Sequence, residues 1–149
     1  MKKLKTFFAA AALLLATSAF ASPDPDNVSE KVKKEFEKNF TGAQQVNWKK
    51  IDDFYFAFFK LNESEVTAAY NEGGEMLGIS RIINIKQLPL NVTLAITAKY
   101  AGYTFAKNAT ELNFEGQTSY YVNIENSKKN IKLKCTSYGE IYVDSKTKK

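Results

Sequence analysis

The sequence predicts an α+β fold of two tandem helix-plus-antiparallel-sheet repeats, with the helices packed on one face of the sheet. Three observations point there. Val28, Val32, Phe36 and Phe40 recur at every fourth position, which gathers apolar side chains on one helix face. After Gly42 the period drops to two and β-branched and aromatic residues become frequent, as in half-buried strands. Both patterns then return in the second half of the chain, beginning with Val92, Ile96 and Tyr100.

Taken in order, the chain opens with Lys2, Lys3 and Lys5, an apolar run from Phe7 to Ala16, and small residues ending in Ala19-Phe20-Ala21. These are the three parts of a secretory signal peptide, predicted over residues 1–21 with cleavage after Ala21. The apolar run is too short to span a bilayer, which takes roughly 20 residues, so no stable membrane insertion is expected after cleavage. Residues 22–26 form a short leader, predicted to be flexible. Asn27 and Glu30 then stand at capping-box spacing ahead of the first apolar stripe, and Gly42 is placed to stop that helix at C′.

Strands are predicted over 44–50, 54–61, 65–71 and 76–86. Pro89 marks the entry to a second helix, with Asn91 as candidate cap and Gly102 as its stop. Further strands are predicted over 110–115, 118–125, 130–137 and 140–144, leaving 146–149 as a solvated basic tail. Turn chemistry separates the strands: Asp52-Asp53, Asn62-Glu63-Ser64, Glu72-Gly73-Gly74-Glu75, Glu115-Gly116, Asn126-Ser127 and Tyr138-Gly139. The halves, 27–88 and 89–145, align with each other. Val46-Asn47-Trp48 matches Leu112-Asn113-Phe114, Tyr55 matches Tyr120, and Gly74-Glu75-Met76 matches Gly139-Glu140-Ile141.

Charge excludes one class of partner. The chain carries 21 Lys and Arg against 16 Asp and Glu. Three of those lysines leave with the signal peptide, and the net charge falls from +5 to +2. That is far from the basic stripe of a nucleic-acid binder. A single cysteine, Cys135, rules out an internal disulfide, which suits a periplasmic or extracellular domain large enough to rely on its core. Asn27, Asn39, Asn62, Asn91 and Asn108 each open an N-x-[ST] triplet, and these residues read as caps and turns.

A family resemblance rests on Phe40-Thr41-Gly42-Ala43, Val46-x-Trp48, Tyr55-x-Ala57-x-Phe59, Ala69-Tyr70, Gly74 and Leu88-Pro89-x-x-Val92. Together these resemble the PepSY-like, beta-lactamase-inhibitor-like periplasmic proteins of Bacteroidetes, over roughly Val28 to Asp144. Thr41 stands where that family usually has proline, and the second half keeps neither the Trp nor the Gly-Ala pair. The resemblance implies tandem helix-plus-sheet units and a non-catalytic binding or inhibitory role.

The residues themselves argue against catalysis. There is no histidine, which removes imidazole acid–base chemistry, Ser-His-Asp and Cys-His nucleophiles and every histidine metal site. Cys135 alternates with Ile131 and Leu133, the pattern of a buried and inert thiol. Asp52 and Asp53 are turn residues whose side chains diverge, unlike the facing pair of a glycosidase. Asp24-Pro25-Asp26 lacks the Gly and Glu of a calcium loop, and Gly73-Gly74 sits in a tight turn, so no metal or cofactor is expected.

The most informative stretch is Phe54-Tyr-Phe-Ala-Phe-Phe59, apolar on both faces. Tyr55, Ala57 and Phe59 match Tyr120, Val122 and Ile124, all suited to a core, whereas Phe54, Phe56 and Phe58 match Ser119, Tyr121 and Asn123. The three phenylalanines are therefore expected on the face away from the helices, meeting water as a patch for a protein or peptide partner. Thr67, Ala69 and Tyr121 extend that face, and Lys132 and Lys134 favour an acidic partner. Trp48, matched by Phe114, is expected in the core. The alternative function is a carrier or sensor holding a small apolar ligand between helices and sheet.

Overall fold

A computed structural model describes residues 28–149, so the expected signal peptide, leader and Asn27 cap lie outside the described residues. Among the described residues, eight strands and two α-helices make an α+β fold dominated by antiparallel sheet. The chain divides into two units, one ending at Ser80 and one running Arg81–Lys149, each with its own apolar cluster. The division falls ahead of the expected repeat boundary after residue 88.

In the first unit, helix α1 (Glu30–Asn39) is capped by Ser29 in place of Asn27. The Ser29 hydroxyl accepts a hydrogen bond from the Val32 N–H at 3.4 Å, while Glu30 pairs with Lys33 at 3.2 Å. Phe40 closes the helix, and its carbonyl accepts from Ala43 N–H, so Gly42 (φ 88°) serves the following turn and not the C′ position. Strands β1 (Gln44–Ile51), β2 (Phe54–Leu61) and β3 (Ser64–Asn71) follow as antiparallel neighbours, and β4 (Met76–Asn84) continues after β3.

Val32 and Phe36 from α1 bury against Trp48, Tyr55, Ala57, Phe59, Val66, Ala68 and Tyr70. Ala57 and Ala68 face each other across the β2–β3 ladder, leaving room for the larger helix side chains. Phe36 sits edge-on to both Trp48 (5.1 Å) and Phe59 (5.0 Å), the geometry aromatic quadrupoles favour. Val46 departs from the alternation, being 36% exposed. A β-bulge between Gln44 and Asn47, with Gln45 at φ 53°, breaks the register there.

In the second unit, a short 3-10 turn (Ile85–Gln87) replaces the expected end of the fourth strand, because Asn84 and Gln87 form a capping box. Helix α2 (Leu90–Lys99) starts from Pro89, whose carbonyl accepts from Thr93 N–H. Asn91 is inside the helix and is not its cap; its amide donates to the Ser137 carbonyl at 2.7 Å. Tyr100 closes α2, and Gly102 (φ 81°) again belongs to the turn beyond. Tyr100 and Tyr103 meet edge to face at 5.7 Å and pack on the cluster.

Strands β5 (Thr104–Phe114), β6 (Gln117–Glu125), β7 (Lys129–Thr136) and β8 (Ile141–Lys148) pair antiparallel in that order. β5 begins earlier than its sequence pattern predicts, because an irregularity between Phe105 and Ala109 interrupts the alternation. β8 runs on through Lys146–Lys148, so these residues are exposed strand positions and not a trailing tail. Val92 and Ile96 from α2 bury against Tyr120, Val122, Ile124, Ile131, Leu133 and Cys135. Each fully buried aliphatic side chain contributes about 1.5–3 kcal/mol.

Candidate functional site

In the first unit, Tyr55, Ala57 and Phe59 join the α1 cluster, so strand alternation turns Phe54, Phe56 and Phe58 to the opposite face. Across the ladder Phe56 pairs with Ala69 and Lys49, Phe58 with Thr67 and Asn47, and Phe54 with Asn71 and Ile51. The face is as expected, but the exposure is not. Phe56 and Ala69 are each 1% exposed and Thr67 2%, while Phe54 and Phe58 are half-buried. Alternation decides which face a ring occupies, not how much of it meets water. Phe56 holds the middle position, flanked along the strand by Phe54 and Phe58. Thr67 adds a feature invisible in the sequence: its hydroxyl is buried and has no hydrogen-bond partner among the described residues.

In the second unit, the residues opposite the α2 cluster centre on Tyr121, which is buried where the sequence pattern suggested a water-facing position. Lys134 lies directly across from it on β7, and Lys132 pairs with Asn123 two residues along. The Lys132 ammonium stands 5.2 Å from the Tyr121 ring centroid and that of Lys134 6.0 Å, placing two cations against one aromatic ring. Asp144 approaches Lys132 at 3.9 Å.

Asp144 is the residue that sequence reasoning missed. β8 pairs Ser145 with Lys132 but Val143 with Leu133, so Asp144 is the extra residue at the register shift. Bulges re-aim side chains in this way, and no local sequence signal marks this one. Burial pushes the Tyr121 phenol up, with Asp144 adding to the shift. Burial likewise pulls the Lys132 ammonium down, and Asp144 opposes it. Among the described residues Lys134 has no carboxylate partner, so it is the cation of the pair that remains available to an incoming anion.

A second feature lies within the first unit, on the helix side of β1. A cleft of about 400 Å³ is lined by Lys33, Phe36, Glu37, Phe40, Thr41, Gly42, Ala43, Val46 and Trp48. Trp48 is 9% exposed and packs on Phe36 and Tyr70, so it belongs to the core as expected while also walling the cleft. Phe40 lies tilted against Phe36 (5.3 Å) and Phe59 (4.7 Å) and brings the end of α1 to the cleft.

Other candidates settle simply. Cys135 is fully buried, and burial pushes its thiol up to about 11, as expected of an inert core cysteine. Asp52 and Asp53 form the exposed two-residue β1–β2 turn, Asp52 at φ 53°. Leu90 and Leu94 stand one turn apart on α2 and are 73% and 59% exposed, which the sequence pattern did not reveal. No helix among the described residues is long and apolar enough to cross a membrane.

No family model matches the chain, and neither does any curated protein. Several solved structures do, by fold. A DUF2874 family protein from Bacteroides uniformis matches with a TM-score of 0.69 at 19% identity, over 80% of this chain and 88% of that one. A Bacteroides eggerthii protein, described provisionally as periplasmic, gives 0.70 at 17% identity, over 81% and 88%. A BLIP-like protein from Bacteroides fragilis gives 0.66 at 18% identity, over 89% and 90%. The resemblance to beta-lactamase-inhibitor-like proteins of Bacteroidetes therefore holds at the level of fold.

Proposed function

We propose that this chain is an exported, non-catalytic binding module that recognises an acidic protein or peptide, with inhibition as one outcome of that binding. The cluster of Tyr121, Lys132, Lys134 and Asp144 carries the reading. A lysine pair held over a buried tyrosine costs desolvation and contributes little to a fold that is stable through its apolar clusters, whereas it suits a surface that receives a carboxylate. The half-buried Phe54 and Phe58 supply aromatic anchors on the corresponding face of the first unit. The fold neighbours include one protein described as BLIP-like and one provisionally as periplasmic, in keeping with an exported binding role. The internal matches of the sequence, and a helix followed by antiparallel strands in each unit, support two tandem repeats.

Capture from envelope extracts of the source organism tests this, with chain starting at Ser22 as bait. Wild type is compared with a Phe54→Ser/Phe58→Ser variant and a Lys132→Gln/Lys134→Gln variant, each shown to be folded. A partner held by wild type and released by about 0.5 M salt or lost from the lysine variant is the expected result, since charged contacts are screened at that ionic strength. Equal capture by all three baits would remove the sheet face from the function.

A second reading, a carrier of a small ligand between helix and sheet, has the cleft beside Trp48 in its favour.

A further inference from the structure

The geometry points to a specific ligand class for that cleft: a small organic ammonium ion carrying an aromatic or aliphatic body. This inference rests on the carrier reading and is independent of the sheet face. Size comes first. A volume of about 400 Å³ is at the small end of ligand sites and too large to be a packing defect. Its walls supply the apolar contact, through Phe36, Phe40 and Trp48.

Three features of the lining then choose the charge. The wall is aromatic, built from Phe36, Phe40 and Trp48, and the π-face of an aromatic ring attracts a cation. Phe40, Thr41 and Gly42 bring the C-terminal end of α1 to the rim, where the helix dipole is negative. The two charged residues that line the cleft, Lys33 and Glu37, are not equivalent. Lys33 is held by Glu30 at 3.2 Å, and Lys38 by Glu35 at 3.6 Å, whereas Glu37 has no ion-pair partner among the described residues. The rim therefore offers one uncompensated carboxylate beside an aromatic wall, a complement for an amine with an apolar body.

The chain has one tryptophan, Trp48, and it walls this cleft, so its emission responds to what binds there. The probes are 2-phenylethylammonium, its neutral counterpart 2-phenylethanol and the anion phenylacetate, titrated into chain starting at Ser22. A saturable change in Trp48 emission is expected with the ammonium, at an affinity about fivefold or more above the alcohol, the scale of a cation–π contact with a nearby carboxylate. Phenylacetate should bind most weakly. Glu37→Gln, an exposed helix substitution that leaves the core intact, should bring the ammonium and the alcohol within about twofold of each other. Equal binding of ammonium and alcohol to wild type, or a preference unchanged in Glu37→Gln, would overturn the inference while leaving an apolar carrier site. Absence of a saturable response to any probe would overturn both.

Discussion

Cys135 shows how completely a single side chain can be decided by its neighbours. It lies with Ile131 and Leu133 at no more than 4% exposure, and its thiol is pushed up to about 11. Because the folded value lies above the unfolded one, the stability linked to the neutral thiol is whole below pH 9 and is lost as pH rises towards 11. Denaturant melts of wild type and Cys135→Ala at pH 8 and pH 10.5 should show wild type losing more stability between the two. A thiol reagent at pH 8 should label Cys135 only after unfolding. One hydroxyl makes the opposite case. Thr67 Oγ1 is buried and has no hydrogen-bond partner among the described residues. Thr67→Val should therefore be neutral or stabilising by up to about 1 kcal/mol, since it removes an unsatisfied polar group without leaving a new one. A loss above that size in a urea melt would show that the hydroxyl has a partner in solution. The burial of Phe56 and Tyr121 belongs to this scale too, and it is what period-two patterning could not foresee: alternation ranks faces, while exposure depends on what surrounds each position.

Among the elements, strand positions were legible because turns and alternation agree. β2 begins and ends where the pattern places it, between the exposed Asp52-Asp53 and Asn62-Glu63 turns. Helix ends were less legible. Ser29 took the cap expected of Asn27 because several polar residues crowd that entry and only geometry chooses among them, whereas α2 starts from Pro89 with no side-chain cap and leaves Asn91 inside the helix. The Ser29 bond is long, so Ser29→Ala should cost about 0.5–1 kcal/mol, at the low end for a cap. The paired glycines promise more. Gly74 (φ 79°) lies against α1, where an added Cβ would stand 3.3 Å from Lys31 and 3.4 Å from Glu35. Gly139 (φ 91°) lies against α2, with the Asn91 carbonyl oxygen 3.2 Å from such a Cβ. Backbone strain alone predicts that Gly74→Ala and Gly139→Ala each cost about 1–2 kcal/mol, and the rigid carbonyl makes Gly139→Ala the worse of the two. Thermal melts of both variants check this ranking. β8 and the start of β5 escaped the sequence pattern because register shifts sit in or beside them, and a bulge erases the alternation by which strands are recognised.

For the molecule as a whole, fold class and the apolar clusters were legible: the stripe residues Val32, Phe36, Val92 and Ile96 are all buried where the period placed them. The sites were legible only in part. Lys132, Lys134 and Tyr121 share a face as the internal matches suggested, but Asp144 joins them through a bulge and the cleft beside Trp48 depends on how α1 ends. Removing core volume should act as in any close-packed domain, with Leu133→Ala costing about 2–5 kcal/mol in a denaturant melt. Function is tested most directly by contact. A photo-crosslinking amino acid placed at Lys134, at Phe58 and, on the exposed side of α2, at Leu94 would be irradiated in cells of the source organism. A discrete protein adduct from positions 134 and 58, absent from 94, is the expected result. Adducts from 94 alone, or from none of the three, would contradict a binding module that works through its sheet faces.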